Sequence, residues 1–179
     1  MAIINFTGFE TGLLANEGAS GTLSTSSGVS ITTTAKKSGA YGLEANIGNG
    51  SWGTYYIGKI NTTTLQEDYF SAATIWITFY FKILTMPASG VCQICYVQST
   101  SAGRICNFNL SSAGKLGLVD KNLTNQQTGT TVLSTDTWYK LDFKTGSNNA
   151  SCPFEIRING VSDLSGTYDC TSTNPCGVV

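Results

Sequence analysis

The strongest constraint on the fold is a nine-residue stretch in which apolar and polar side chains alternate strictly. From Ile75 to Ile83, the odd positions hold Ile, Ile, Phe, Phe and Ile, and the even positions hold Trp, Thr, Tyr and Lys. Successive side chains of a β-strand point to opposite faces of a sheet. The same alternation recurs at residues 139–144 and 154–158. These segments therefore predict antiparallel strands with one face in the core.

Turn residues separate short segments of this kind along the chain, and no segment shows the period of a helix. Asn159-Gly160 is a strong signal for a tight hairpin, and Ser112-Ala113-Gly114 supplies another turn. The sequence therefore predicts an all-β protein of short antiparallel strands, which is typical of a β-sandwich or a β-barrel. The predicted strands are Ile3–Phe6, Gly28–Thr34, Tyr41–Ile47, Trp52–Lys59, Thr74–Ile83, Val91–Gln98, Arg104–Leu110, Lys115–Asp120, Thr130–Val132, Trp138–Thr145, Phe154–Ile158 and Val161–Asp163.

Length and charge limit the domain count and the partners. The 179 residues predict a single domain, residues 1–179, with a short irregular tail from about residue 164 to residue 179. Ten basic and eleven acidic residues are spread thinly, without the basic stripe that nucleic-acid binding requires. No apolar run is long enough to cross a bilayer. We therefore expect neither nucleic acid nor membrane as a partner.

The residue types available for catalysis are few. The chain contains no histidine, which excludes Ser-His-Asp triads, Cys-His dyads and histidine-bound zinc. Glu67-Asp68 is the adjacent acidic pair, but neighbouring strand residues point to opposite faces, whereas glycoside hydrolysis needs two carboxyl groups facing one another. The sequence therefore predicts no catalytic residues and a protein that is not an enzyme.

Cysteine spacing raises the possibility of disulfides. The six cysteines are Cys92, Cys95, Cys106, Cys152, Cys170 and Cys176. Cys95 and Cys106 could face each other across a hairpin, and Cys170 and Cys176 bracket a short loop that a bridge could close. Small buried thiols are an equal alternative, because cysteine is among the most buried residue types. Zinc is disfavoured, because the Cys92 and Cys95 side chains would leave a strand on opposite faces.

Four aromatic residues outside the clean alternation are candidate ligand contacts. Trp52, Tyr55, Tyr56 and Tyr69 could offer flat faces on which sugar rings stack. The alternative is that they fill the core, as aromatic side chains usually do. Trp138 follows a turn and is predicted to seal one end of the core.

Several short sequence segments, taken in their order along the chain, resemble the concanavalin A-like and laminin G-like jelly rolls found in phage virion and bacterial surface proteins. They are Gly8–Gly12, Ser38–Glu44, Gly114–Leu118, Thr137–Leu141 and Phe154–Val161. The resemblance implies an antiparallel jelly-roll β-sandwich, in which two sheets pack face to face. It also implies that Ca²⁺ could bind beside a loop; the sequence itself predicts no cofactor and no metal.

These observations lead to three ranked expectations for function. The first is a non-enzymatic virion module, a capsid decoration or tail-associated protein on the virion surface that binds other virion proteins. The second is a carbohydrate-binding module of a secreted or cell-surface protein, with glycans as partners. A glycan lyase or hydrolase ranks third. Residues Met1–Phe6 lack the charged and apolar regions of a secretory signal, so we expect either a protein made in the cytoplasm or a mature fragment with an added Met.

The C-terminal tail leads to a prediction about assembly. Thr171–Pro175 lacks the alternation of a closing strand, which would leave the edge at Ile3–Phe6 unpaired. Either the tail Cys170–Val179 covers that edge, or a neighbouring subunit donates a strand. We expect the second, which predicts a homo-oligomer or lattice.

Overall fold

All regular elements in the described part of the chain are β-strands. The structure is a computed structural model that describes residues 29–45, 74–99, 103–120, 122, 125–146, 150–171 and 176–178. Its strands are β1 (Val29–Thr32), β2 (Gly42–Ala45), β3 (Thr74–Lys82), β4 (Val91–Ser99), β5 (Gly103–Ser111), β6 (Leu116–Asp120), β7 (Asn125–Thr128), β8 (Trp138–Gly146), β9 (Cys152–Ile158), β10 (Val161–Tyr168) and β11 (Cys176–Val178). These residues include no helix long and apolar enough to cross a membrane.

The chain divides into two compact units, Met1–Tyr69 with Val178–Val179, and Phe70–Gly177. In the first unit, β1 and β2 form an antiparallel pair. The second unit contains a four-stranded sheet, ordered β10-β9-β8-β3. It also contains a five-stranded sheet, ordered β11-β4-β5-β6-β7, except for Val178 at the end of β11. The predicted all-β, antiparallel jelly-roll sandwich is confirmed.

The core lies between the two sheets, where alternating apolar positions meet. Phe143 of β8 and Phe108 of β5 are fully buried, with ring centroids 3.6 Å apart. Leu141 and Ile156 flank Phe143 on the four-stranded sheet, and Leu118 lies beside Phe108 on the other. The sequence alternation therefore identified the core face of β8 and β9 correctly.

Both predicted turns are present. Asn159 and Gly160 have φ values of 52° and 85° between β9 and β10, the left-handed conformation that a two-residue hairpin turn requires. The Asn159 side chain also accepts a hydrogen bond from the Lys140 amide at 2.9 Å. Gly114, with φ 73°, turns the chain between β5 and β6. These turns fix the register of the strands that they join.

One carboxylate ties the loop after β7 to β10. Asp163 lies at a bulge in β10, and its Oδ1 accepts hydrogen bonds from the Thr131 amide at 2.8 Å and from the Thr130 amide and hydroxyl at 3.1 and 3.2 Å. A Cβ on Gly129 would overlap the same carboxylate. The predicted strand Thr130–Val132 is therefore wrong, because these amides bond to Asp163 and not to a neighbouring strand.

We expect the Asp163→Asn variant to lose about 1–2 kcal/mol of unfolding free energy at neutral pH, because charge-assisted hydrogen bonds become neutral ones. Burial raises the pKa of Asp163, but the hydrogen bonds from Thr131 and Thr130 outweigh it and hold the pKa below its usual 3.8. A carboxylate with a lowered folded pKa stabilises the fold above its unfolded pKa and loses that contribution as the pH falls through the folded value. The difference between variant and wild type should therefore vanish in acid.

Urea unfolding at neutral pH, and again in acid below the folded-state pKa of Asp163, measures this difference. Asp136→Asn is the matched control, since Asp136 is exposed and its φ of 58° is one that asparagine tolerates. An Asp163→Asn deficit that persisted unchanged in acid would contradict the assignment.

The C-terminal part of the chain is more regular than expected. Strand β10 continues to Tyr168, whose ring packs edge-on against Phe154 at 5.9 Å and whose hydroxyl bonds to the buried Thr145 hydroxyl. The short β11 lies next to β4. The predicted strands Ile3–Phe6 and Trp52–Lys59 lie outside the described residues, so donation of a strand by a neighbouring subunit stays a prediction.

Candidate functional site

The disulfide in the structure differs from both predicted pairs. Cys152 is bonded to Cys170, with their Cα atoms 5.8 Å apart. The predicted bond between Cys170 and Cys176 is therefore wrong: Cys152 pairs with Tyr168 in the β9–β10 ladder, which brings Cys170 beside it. Spacing along the chain could not reveal this cross-strand neighbour.

Cys95 and Cys106 form no disulfide. Bulges in β4 shift the register, so that Cys95 lies opposite Phe108 and Val97 lies opposite Cys106. Burial, together with the nearby Cys106, raises the pKa of the Cys95 thiol. Cys95 therefore stays a protonated, weakly reactive thiol.

The four predicted ligand-contacting aromatics, Trp52, Tyr55, Tyr56 and Tyr69, lie outside the described residues. In the part of the chain that the structure describes, no three His, Cys, Asp or Glu side chains come together as metal ligands. Calcium binding therefore stays an expectation from the resemblance alone.

The outward side chains of β3, β8 and β9 form a polar surface, which we call the outer face. In the register, Trp76 lies opposite Lys144, and Thr78 lies opposite Asp142. Such directly paired residues point to the same side of an antiparallel sheet. The outer face comprises Trp76, Thr78, Tyr80, Lys82, Trp138, Lys140, Asp142, Lys144, Glu155 and Arg157.

One end of the outer face carries two cations around an indole, and we call Trp76, Lys144 and Arg157 the first cluster. The Arg157 guanidinium carbon lies 4.8 Å from the centroid of the Trp76 ring, and Lys144 Nζ lies 5.8 Å from it. Both distances are typical of cation–π contacts. Arg157 also donates from Nε and Nη2 to Glu155 at 2.8 and 3.0 Å. The indole and the carboxylate thus restrict where the positive charges lie.

At the other end of the outer face, a lysine again lies near an indole. We call these two residues, Lys82 and Trp138, the second cluster. Lys82 Nζ lies 5.8 Å from the Trp138 ring, and the two residues are opposite each other in the register. The expectation that Trp138 seals the core is wrong, because its neighbour Tyr139 takes the inward position. Tyr139 is buried against Phe81 and its hydroxyl accepts a hydrogen bond from the Ser134 amide.

The middle of the outer face contains an ionised carboxylate. Asp142 accepts a hydrogen bond from the Thr78 hydroxyl at 2.7 Å and pairs with Lys140 Nζ at 3.1 Å. Burial raises the pKa of Asp142, but these hydrogen bonds and the charges of Lys140 and Arg157 outweigh it, so the pKa lies below its usual value. Hydrogen bonds from Arg157 likewise lower the pKa of Glu155.

The outer face is a positively charged part of a chain that is almost neutral. Its four cations, Lys82, Lys140, Lys144 and Arg157, face two carboxylates, whereas the whole chain has a formal net charge of −1. Both carboxylates already have cationic partners. Lys82 and Lys144 are held against indoles, and Lys144 also lies opposite Glu155. This arrangement suits a negatively charged ligand.

The outer face was not predicted from the sequence, although the residue types at the polar positions of β3 and β8 indicate it. The polar positions of β3 and β8 were interpreted only as the solvent side of half-buried strands. The signal was that Trp76 and Trp138 share those positions with Lys82 and Lys144. Recognising it required the register, which places distant residues side by side, such as Thr78 and Asp142, 64 positions apart.

Comparison with known proteins gives similarity of fold. No family model matches the chain, and no curated protein matches it. Among solved structures, the alginate lyase from Corynebacterium sp. matches with a TM-score of 0.44 and 12% identity, over 60% of this chain and 44% of that chain. An alginate lyase from polysaccharide lyase family 7 matches with a TM-score of 0.37 and 14% identity, over 59% and 53%. The chain thus spans about half the length of these structures.

These comparisons correct the first expectation for function. Both of these solved structures are enzymes that act on a polysaccharide, and neither is a virion protein. The expectations of a non-enzymatic virion module and of a chain that is not an enzyme are corrected to what these similarities support, an all-β jelly-roll fold with alginate lyases, and not virion proteins, among its named neighbours.

Proposed function

We propose that this chain is a polysaccharide-active protein whose substrate is an acidic polysaccharide, held along the outer face. The observation that supports the proposal is the pairing of cations with indoles at both ends of one exposed sheet face. An acidic sugar has carboxylate or sulfate groups for the cations and an apolar ring face for aromatic side chains. The outer face offers both kinds of contact.

The cations of the outer face are placed to meet anionic groups. Lys140 and Arg157 are each about two-fifths exposed, with side-chain exposures of 40% and 41%. Tyr80 is 53% exposed beside Lys140 and adds an aromatic surface. Guanidinium groups bind planar carboxylates through paired hydrogen bonds. The contact with Glu155 uses the Nε and Nη2 edge of Arg157, so the edge between the two Nη atoms is the one that would pair with a uronate.

A carboxylate held by a cation also meets one requirement of elimination. Partial neutralisation of a uronate stabilises the negative charge that develops when the proton on the adjacent carbon is removed. The two solved structures named above are alginate lyases. Alginate is therefore a suitable first probe, with neutral dextran as its uncharged counterpart.

We expect the Lys144→Gln/Arg157→Gln double variant to bind alginate about tenfold or more weakly than the wild type, because two charge-assisted contacts are lost. Lys115→Gln is the control, since it removes one positive charge outside the outer face, in the turn before β6, and should leave affinity unchanged. Isothermal titration calorimetry measures the affinity, and ultraviolet absorbance of an unsaturated uronate product reports elimination.

Equal binding of alginate and dextran, or an unaffected double variant, would contradict the proposed surface. Binding of alginate without chemical change in any acidic polysaccharide tested would contradict its role as a substrate. Elimination by the wild type that is lost in the double variant would support both the proposed binding surface and the role of the polysaccharide as a substrate.

A further inference from the structure

We infer that the polysaccharide runs parallel to β3 and β8 and that tight binding requires a segment long enough to reach both clusters at once. This inference rests on the proposed function. It adds a direction for the polymer and a minimum length for the ligand, neither of which the charge of the outer face determines.

The register fixes the separation of the two clusters. Trp76 and Lys82 lie on the same face of β3, six residues apart, and their partners on β8 are Lys144 and Trp138. At about 3.3 Å per residue, the clusters are roughly 20 Å apart along the strands. That distance is several pyranose units long, so a disaccharide contacts one cluster only.

The two clusters are alike in composition, which favours one linear polymer over two unrelated ligands. Each has a Lys ammonium 5.8 Å from an indole centroid, on the pair of strands β3 and β8. In each pair the Trp and Lys lie directly opposite, but the order is reversed: β3 supplies Trp76 in the first cluster and Lys82 in the second. A polymer with repeated anionic units presents the same group to both.

The part of the outer face between the clusters disfavours anionic groups of the polysaccharide, so these groups are expected at the two clusters. Asp142 lies there with a lowered pKa and a side chain that is 12% exposed. An ionised carboxylate repels an anionic substituent close to it. Lys140 and Thr78 are already bonded to Asp142, so the strongest attraction for anions lies at the two clusters.

Two linked contacts raise affinity more than either contact alone. Once one cluster has bound, the second anionic unit is at a high effective concentration near the other cluster. Ligands that span both clusters should therefore bind about tenfold or more tightly than ligands that reach one. Single-stranded nucleic acid is a weaker fit, because its dense charge favours many phosphate contacts and the outer face has four cations against two carboxylates.

Size-defined alginate oligosaccharides, from the disaccharide to oligomers longer than 20 Å, test the inference by calorimetry. We expect affinity to rise steeply once the oligomer spans the clusters. Lys82→Gln, which alters only the second cluster, should reduce the affinity of the long oligomers to that of the short ones, and the disaccharide should then bind at the first cluster alone. Lys115→Gln again serves as the control, and thermal melts confirm that each variant is folded.

The outcomes separate this inference from the proposed function. If polymeric alginate binds but affinity does not change with length, or Lys82→Gln has no effect on long oligomers, the two-cluster inference is overturned and the proposed substrate stands. If neither polymer nor oligomer binds, the proposed function itself fails. Equal affinity for single-stranded DNA of the same length would show a general polyanion surface and would overturn the inference.

Discussion

The Phe143→Ala variant is expected to lose about 3–5 kcal/mol of unfolding free energy. Phe143 is completely buried at the centre of the sandwich, where its ring contacts Phe108 of the opposite sheet. Truncation removes the burial of a large apolar ring and leaves a cavity that the two sheets cannot fully close. Denaturant unfolding measures the loss, which is a large part of the stability of an ordinary domain.

Val132→Ala is the control for this experiment. Val132 is 61% exposed, so its truncation should change the unfolding free energy by no more than about 0.5 kcal/mol. Similar losses for the two variants would show that Phe143 does not occupy the centre of the core.

Replacing both Cys152 and Cys170 with alanine is expected to cost about 3 kcal/mol. The bond closes a loop with a sequence separation of 18 residues, and both cysteines are fully buried. Without it, the unfolded chain gains conformational freedom that the crosslink had removed. A reducing agent should lower the melting temperature of the wild type and leave that of the double variant unchanged.

The Cys92→Ala variant is the control, because Cys92 is exposed and forms no disulfide. It should melt like the wild type and respond to reductant in the same way. A wild-type melting temperature that is insensitive to reductant under unfolding conditions would contradict the Cys152–Cys170 bond.

The strands and turns could be predicted from the sequence because they depend on residues close together in the chain. Alternation identified the inward face of β8, and the left-handed preference of Asn159-Gly160 identified the β9–β10 hairpin. The loop at Thr130 was mistaken for a strand because its β-branched residues suit a sheet. Its actual partner, Asp163, lies 33 residues away.

The candidate site depends on pairing between distant strands, which one sequence does not reveal. The disulfide joins Cys152 to a residue brought near by the β9–β10 ladder, and the first cluster joins Trp76 to residues of two other strands. Trp138 was placed inside because ring size suggests a core role. A shift of one residue along a strand decides between the two faces.

The strict alternation in β8 makes ligand binding and stability separable under mutation. Lys140 and Lys144 can be exchanged for other side chains without touching Leu141 or Phe143, so the specificity of the outer face could diversify on an unchanged core. Insertion of one residue within β8 has the opposite effect. It would turn the lysines toward the core and the apolar side chains toward solvent, so binding and folding would be lost in a single step.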